Sequence, residues 1–557
     1  MKILVIGASA AGLKAACRVR RLLPKAEVTV LEEGQYISYA ACGFPYFLSA
    51  DIDDFRQLLT TAYDVEKTPE YFKSVKDVTV LTGIRVDVIN PERKTVKATE
   101  LRNDKKADYS YDILVLATGA HPVKPVISGI DLPGVFTFTR PEDVIELRQA
   151  ANRGELEKVA IIGAGFVGCE LCESFRALWG LETVLFEIEP SVLPGMLDPE
   201  ISAIIETELK RQDVELFLNT DVTGIESSVD KLRIDTDSGL SIEGFDRVII
   251  AAGVTPRVEL AKNAGIEIGT AGGIVVDLMM RTGAPDVFAV GDCVEVVDAV
   301  TKQQRHLPLG SLANRMGRVA ANTIAEREDR FGPVCGTLCL KVFDINVAAT
   351  GITAETASEA GLKVGESWGV FTDRSHYYPE HDLVSAKMVF DLKSLQLLGV
   401  QAAGKGETVK LVNSASQMIK SAMTLKEIRE FEHAYAPPYD NALNPLHFLS
   451  YAGIASVEEG ITAVSPRTIE DSAGDFTLID VREEYEIKES PLQFPYTSLL
   501  SIPLTSLRKR IEEVPRGEPL AIICQRGTRS SEAVRILHEN GFDDVRYMGG
   551  GVGFLQS

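Results

Sequence analysis

Residues 520–523 read as a buried strand, followed by Cys524-Gln525-Arg526-Gly527-Thr528-Arg529-Ser530 and a helix to about Asn540. A cysteine in such a strand-to-helix loop faces several backbone N–H groups and the positive end of a helix dipole. That setting favours a thiolate or a persulfide anion. Two other strings, Gly7-Ala8-Ser9-Ala10-Ala11-Gly12 and Gly163-Ala164-Gly165-Phe166-Val167-Gly168, have the glycine spacing that cradles a dinucleotide pyrophosphate. The first glycine permits a tight turn, the last lets helix pack on strand, and the helix N-terminus holds the phosphates. Glu32 follows Gly12 by 20 residues and Glu187 follows Gly168 by 19, where a carboxylate accepts from a ribose hydroxyl. At the second site the acid suits the 2′-hydroxyl of NADH and repels the 2′-phosphate of NADPH. No arginine between 188 and 194 would receive that phosphate, so NADH is expected and NADPH is the alternative.

These strings need β-α-β units to hold them. Lys2 to Ile6 is a strand, a helix runs to about Leu23, and Glu27 to Leu31 is the second strand. The pattern recurs with Lys158 to Ile162, a helix from Cys169 to about Leu178, and Thr183 to Phe186. Ser9 replaces the middle glycine of the first turn and is small enough for close approach. Two more strands end in Ala117-Thr118-Gly119 and in Val290-Gly291-Asp292, the latter offering an acid to a flavin ribityl chain. Two dinucleotide units about 155 residues apart suggest a flavin, FAD, and a nicotinamide.

The chain has 557 residues, room for about three to four domains. Its apolar fraction of 45% and charged fraction of 25% are those of a globular protein. A formal charge of −22 argues against nucleic acid and anionic membrane as partners. No apolar run reaches the roughly 18 residues of a membrane span. The N-terminus looks superficially like a signal peptide, but cleavage would destroy the first glycine turn, so a cytoplasmic location is expected. The eight cysteines imply no disulfide framework. Cys169 and Cys172 form a CxxC string inside the second dinucleotide helix and are read as core. Cys17 and Cys293 are read as packing, and Cys335 and Cys339 as buried in a strand. No metal site is expected.

On the two glycine turns, the Ala-Thr-Gly and Gly-Asp strand ends and Ala252-Gly253-Val254-Thr255-Pro256, the chain resembles the pyridine nucleotide–disulfide reductases over roughly residues 1–445. The resemblance implies that Gly7, Ser9, Ala11, Gly12, Glu32, Ser38, Thr118, Gly119, Gly253, Gly291 and Asp292 meet FAD. It assigns Gly163, Gly165, Gly168 and Glu187 to the nicotinamide cofactor. Ser38-Tyr39-Ala40-Ala41-Cys42 has one cysteine and no nearby partner, as in the single-cysteine branch of coenzyme A disulfide reductases, persulfide reductases, NADH oxidases and NADH peroxidases. A lone thiol beside a flavin carries two electrons as a mixed disulfide, a persulfide or a sulfenic acid. The flavin and a helix N-terminus are expected to lower its pKa. The resemblance further implies that Arg18 and Arg21, on one helix face, hold the phosphates of coenzyme A as ligand or substrate. Tyr435 in Ala434-Tyr435-Ala436-Pro437-Pro438, with Tyr377 or Tyr378, would act across a homodimer interface as hydrogen-bond or proton donors.

After residue 445 the chain resembles a rhodanese: Asp480 and Arg482 match its Leu-Ile-Asp-Val-Arg-Glu strand, and Cys524 would carry sulfane sulfur supported by Arg526 and Arg529. The short loop speaks for sulfur rather than phosphate chemistry. The usual Gly-His-Ile-Pro-Gly-Ala segment is missing; Ser490-Pro491-Leu492-Gln493-Phe494-Pro495-Tyr496 stands there instead. The expected fold is α/β. An FAD domain spans 1–120 and 250–325, an NAD(P)H domain 121–249 and an α+β dimerisation domain 326–445. A linker at 446–463 leads to a rhodanese domain at 464–557. The expected activity is NAD(P)H-dependent reduction of coenzyme A persulfide, polysulfide or disulfide through Cys42, with reducing equivalents passing through FAD. The alternatives are an NADH oxidase or peroxidase using a Cys42 sulfenic acid, a sulfurtransferase with a regulatory flavin module, and a redox-sensing binding protein.

Overall fold

Apolar runs bounded by glycine turns become strands covered on both faces. In Lys2–Ile6 all four residues after Lys2 are buried, as parallel strands require. The computed structural model describes residues 1–228, 230–492 and 494–554. Gln493, inside the segment that departs from the rhodanese pattern, lies outside them. The chain forms two compact units, one of Met1–Phe186, Thr220–Asp298 and Lys302–Val334, the other of Glu187–Asn219, Ala299–Thr301 and residues from Cys335 onward.

In the first unit a five-stranded parallel sheet runs in the order Val287–Ala289, Ile113–Leu116, Lys2–Ile6, Glu27–Leu31, Thr79–Leu81. Leu4 stands opposite both Thr29 and Leu114. The helix Ala10–Leu22 packs on this sheet through Leu13, Ala15, Ala16 and Val19. A second parallel arrangement places Lys158–Ile162 between Glu182–Phe186 and Arg247–Ile250, with Val135–Thr137 beyond. Its helix, Phe166–Ala177, buries Cys169 and Cys172 completely, so both are core. The chain passes between the two sheets twice, and the passages pair antiparallel, Ala120–Pro122 against Val254–Pro256.

The second unit holds two sheets. One is antiparallel, ordered Leu338–Val342, Ile345–Gly351, Leu397–Gly404, Leu383–Asp391, Val364–Thr372. Cys339 on its first strand is exposed, against the expectation of burial, while Cys335 is buried. Alternation explains it: Leu340 and Val342 face inward, so Cys339 and Lys341 face outward. The other sheet is parallel, ordered Ala463–Val464, Val545–Met548, Leu520–Ile523, Thr477–Asp480, Ser498–Ser501. The stretch after Pro438, expected to be a short helical connector at Asn441 to Tyr451, holds the longer helix Pro445–Glu458, capped by Asn444, and Leu446, Leu449 and Ile454 from it join the core of the antiparallel sheet. No helix of the described residues is long and apolar enough to cross a membrane.

Candidate functional site

The first glycine turn is as tight as its sequence demands. Gly7 has φ +105°, and a Cβ there would lie 2.2 Å from the Ala117 carbonyl oxygen. A Cβ on Gly12 would lie 2.0 Å from the Gly7 oxygen. Ser9 caps the helix with no side-chain hydrogen bond, which leaves first-turn N–H groups free for phosphate. Glu32 accepts from the N–H of Ala8 at 2.7 Å and of Gly34 at 2.9 Å. Gly291 closes against the same helix, where a Cβ would meet that of Ala11 at 2.9 Å. Thr118 donates to the Arg257 carbonyl at 2.7 Å, and Gly119 and Gly253, at the passages between sheets, both have positive φ. Burial raises the Asp292 carboxyl, against the pull of His306. The second turn repeats the first: a Cβ on Gly163 would lie 2.6 Å from the Ala251 oxygen, and one on Gly168 2.0 Å from the Gly163 oxygen. Gly165 caps its helix without a side chain. Glu187 is buried, its N–H bonded to the Phe217 oxygen and its carboxylate taking the Glu189 N–H at 3.0 Å. Both cradles fit a dinucleotide.

Cys42 is exposed and sits in a 3₁₀ turn, Ala41–Gly43, that continues into the helix Phe44–Leu48. The turn is tied to the first cradle: Ser38 N–H donates to the Ala8 oxygen at 2.8 Å. Ser38 has φ +52°, a left-handed conformation held by Lys67, whose Nζ reaches its carbonyl at 2.5 Å. The packing behind the thiol, then the charge of Glu170, push Cys42 up; its own N–H works the other way and Asp292 adds to the rise. The chain's own groups therefore oppose the expected lowering. Glu170 was not among the residues singled out from sequence. It follows Gly168-Cys169 on the second dinucleotide helix, and burial, with Glu173 beside it, lifts its carboxyl to about 7. Its signal was an acid in the first turns of that helix, two positions past the glycine turn.

On the first helix Arg18 donates to Asn322 Oδ1 at 3.0 Å, Arg20 is bound to Asp77, and Arg21 is exposed with no ion pair among the described residues. In the second unit Tyr377 and Tyr435 bring their hydroxyls to 3.4 Å, with side chains 64% and 46% exposed. Their hydrogen bond lowers the Tyr377 phenol and raises that of Tyr435. Tyr378 turns away, its N–H on the Ser375 oxygen and its carbonyl on His381. The phenol that meets Tyr435 is thus that of Tyr377.

Cys524 is 1% exposed. Its sulfur accepts from the N–H of Gly527 at 3.1 Å and of Ser530 at 3.4 Å, with the Ser530 hydroxyl at 3.3 Å. Gly527 has φ +88° and caps the following helix, Thr528–Glu539. Arg529 forms a two-pronged pair with Glu486, both contacts 2.6 Å, which pulls the Glu486 carboxyl down to about 2. Arg526 is exposed. Neither arginine hydrogen-bonds the sulfur among the described residues, although the Cys524 charge contributes to raising Arg529. Beneath the loop Arg482, fully buried, holds Asp480 through Nε at 3.0 Å and Nη2 at 2.8 Å, and donates to the Ser490 carbonyl. Tyr547, buried beside Cys524, has its phenol pushed up to about 12, chiefly by burial. Ser530, Glu486 and Tyr547 were not predicted from sequence; only Ser530, on the loop itself, could have been.

Residues 1–317 match the family model for pyridine nucleotide-disulphide oxidoreductases, residues 339–446 match the dimerisation domain of that family, and residues 467–553 match the rhodanese-like domain. The chain is 35% identical over 449 residues to a CoA-dependent NAD(P)H sulfur oxidoreductase of Pyrococcus furiosus, covering 81% of this chain and 98% of that one. Among solved structures it resembles an NAD-dependent persulfide reductase from A. fulgidus, with a TM-score of 0.94 and 35% identity over the whole of both chains. It also resembles the reduced CoADR-RHD of Bacillus anthracis, with a TM-score of 0.91 and 32% identity over 100% of this chain and 97% of that one.

Proposed function

The chain belongs to the pyridine nucleotide-disulphide oxidoreductase family, and from that premise we propose that it reduces the S–S bond of coenzyme A persulfide, polysulfide or disulfide through Cys42. It is an FAD- and NAD(P)H-dependent oxidoreductase with a rhodanese domain. One observation carries the assignment of the thiol. Cys42 is fastened to the first dinucleotide turn through Ser38 and Ala8, and the helix after it is bonded to the helix of the second, Ser174 to the Pro45 carbonyl, from which the charge of Glu170 raises the thiol. A single sulfur thus stands where both dinucleotide motifs converge.

Bound FAD would supply two-electron transfer between nicotinamide and thiol. The protein's side chains do the rest. The Cys42 thiolate attacks the substrate S–S bond and keeps one sulfur fragment as a mixed disulfide or persulfide. Glu170, whose carboxyl burial lifts to about 7, sets how much negative charge opposes the Cys42 thiolate near neutral pH. Tyr377 and Tyr435 form a phenol pair suited to protonate the departing thiolate of a substrate held by the other subunit. Arg18 and Arg21 lie on one helix face for the phosphates of coenzyme A. Glu187 favours NADH over NADPH. Cys524, in its nest of N–H groups, carries sulfane sulfur, and its pairing with a persulfide-reducing centre favours persulfide or polysulfide over plain disulfide.

The deciding test is anaerobic NADH oxidation with coenzyme A persulfide and coenzyme A disulfide side by side, and a Cys42→Ser control. The proposal expects faster turnover on persulfide with hydrogen sulfide released, and loss of both in the variant. Turnover that survives in Cys42→Ser, or NADH loss with oxygen matching the sulfur rate, would overturn it.

A further inference from the structure

The helix that follows Cys42 is short, and its end is held by side chains rather than by more helix. The Leu48 carbonyl takes two donors: the Trp179 indole N–H at 2.9 Å and Arg148 Nη1 at 3.1 Å. Ile52, the residue whose N–H would continue a helix to Leu48, donates to Tyr46 instead. One turn back the Ser174 hydroxyl shares its hydrogen between the Pro45 carbonyl at 3.0 Å and its own helix's Glu170 carbonyl at 2.8 Å. The guanidinium of Arg148 lies 4.8 Å from the Trp179 ring and 5.7 Å from that of Phe47, stacked against both. It forms no ion pair with a carboxylate among the described residues, so its charge is directed at the carbonyl end of the Cys42 helix.

All three donors come from the nicotinamide-binding lobe. Arg148 is on the helix Pro141–Asn152, and Ser174 on the helix Phe166–Ala177, which begins at the second glycine turn. Trp179 follows two residues after that helix. At the other end of the Cys42 segment, a Cβ on Gly43 would lie 2.3 Å from Leu58 Cδ2, and Phe44 and Phe47 are packed by Phe55 and Phe138. Wedged at its start and latched at its end, the segment has little freedom to move its thiol.

We propose that Arg148, Trp179 and Ser174 are positioning residues for Cys42, a latch by which the lobe that receives the pyridine nucleotide fixes the site of the reacting thiol. The proposal rests on the reading of Cys42 as the redox thiol.

The test uses the full-length, FAD-loaded protein and reads Cys42 directly, by the rate of its alkylation by iodoacetamide across pH, followed at the peptide level. Arg148→Met should change the alkylation rate of Cys42 across the pH range, with kcat on coenzyme A disulfide falling and KM little changed. Arg148→Lys, which can still donate to Leu48, should recover part of the loss. Trp179→Phe, which keeps a ring for the guanidinium but loses one hydrogen bond, should give a smaller effect and serves if Arg148→Met does not fold. A melting temperature that drops while the alkylation profile stays on the wild-type curve would overturn the latch and leave a purely structural contact. Persistent turnover in Cys42→Ser would instead overturn the reading of the thiol, which keeps the two failures distinct.

Discussion

Replacing Glu170 with Gln tests the electrostatics of the Cys42 site in one substitution. Burial, the larger cause, and Glu173 lift this carboxyl from an ordinary 4.5 to about 7. The folded protein therefore holds the Glu170 proton more tightly than the unfolded chain does. The stability this gives is fully present below about pH 4.5 and is lost as pH rises through about 7. At ~1.4 kcal/mol per pH unit, the gap is worth about 3 kcal/mol at full ionisation. Glutamine has nearly the shape of the protonated acid and cannot ionise. Wild type and variant should then melt together near pH 4, and the variant should melt a few degrees higher by pH 8 to 9. Thermal melts of the FAD-loaded, nucleotide-free protein between pH 4 and 9 measure this. The same change acts on the thiol, because the Glu170 charge is second only to burial in raising Cys42. Alkylation of Cys42 should be faster in Glu170→Gln above pH 7 and converge with wild type below pH 6. Melting curves that run parallel across this range, or a thiol whose reactivity ignores the substitution, would refute the account of a buried acid coupled to Cys42.

Two further outcomes concern the C-terminal site. Cys524→Ser should abolish sulfur transfer from thiosulfate or a persulfide to cyanide while NADH oxidation by coenzyme A disulfide continues through Cys42; loss of both activities would show that the thiols do not work separately. Arg482→Met leaves Asp480, also fully buried, without its cation, and an uncompensated buried carboxylate costs about 3–5 kcal/mol. Calorimetry of the full chain should show the rhodanese transition moved to lower temperature, and an unmoved transition would mean that the pair contributes no net stability.

The parts most legible in the sequence were those where local geometry admits few residues. Gly7, Gly12, Gly163 and Gly168 face backbone at distances no side chain tolerates, so their spacing announced two dinucleotide turns and the parallel strands on either side. Cys524 was legible for the same reason, since Gly527 at φ +88° and a following helix define the loop. What the sequence concealed were partners brought together by tertiary packing. Glu486 reaches Arg529 from 43 residues away, and Arg148 and Trp179 meet at a carbonyl on Leu48, about a hundred residues upstream. Neither pairing has a periodic signature. Nor did the sequence choose between Tyr377 and Tyr378, adjacent in the chain; in the fold it is the Tyr377 hydroxyl that stands 3.4 Å from that of Tyr435.

The segment after Tyr435 shows how composition can mislead about mechanics. Pro437-Pro438 and the shift in composition after it read as a short helical connector and linker, and a free linker would let a rhodanese swing between sulfur donor and acceptor. In the second unit the helix Pro445–Glu458 is instead part of the antiparallel-sheet core. The loop beyond the last rhodanese strand is seated on that sheet as well. Phe554 accepts a 2.7 Å bond from buried Ser385, and a Cβ on Gly549 would strike the Trp368 ring at 2.6 Å. The same loop backs the sulfur site, for Val552 N–H donates to the Cys524 carbonyl at 2.9 Å and Gly553 N–H to that of Gln525 at 3.0 Å. The backbone that shapes the Cys524 nest is thus continuous with a sheet that cannot move without breaking buried hydrogen bonds, each costly to leave unmade. On the proposed role of Cys524, sulfur would reach and leave it on a carrier that enters the loop, since the loop is bonded to the sheet behind it.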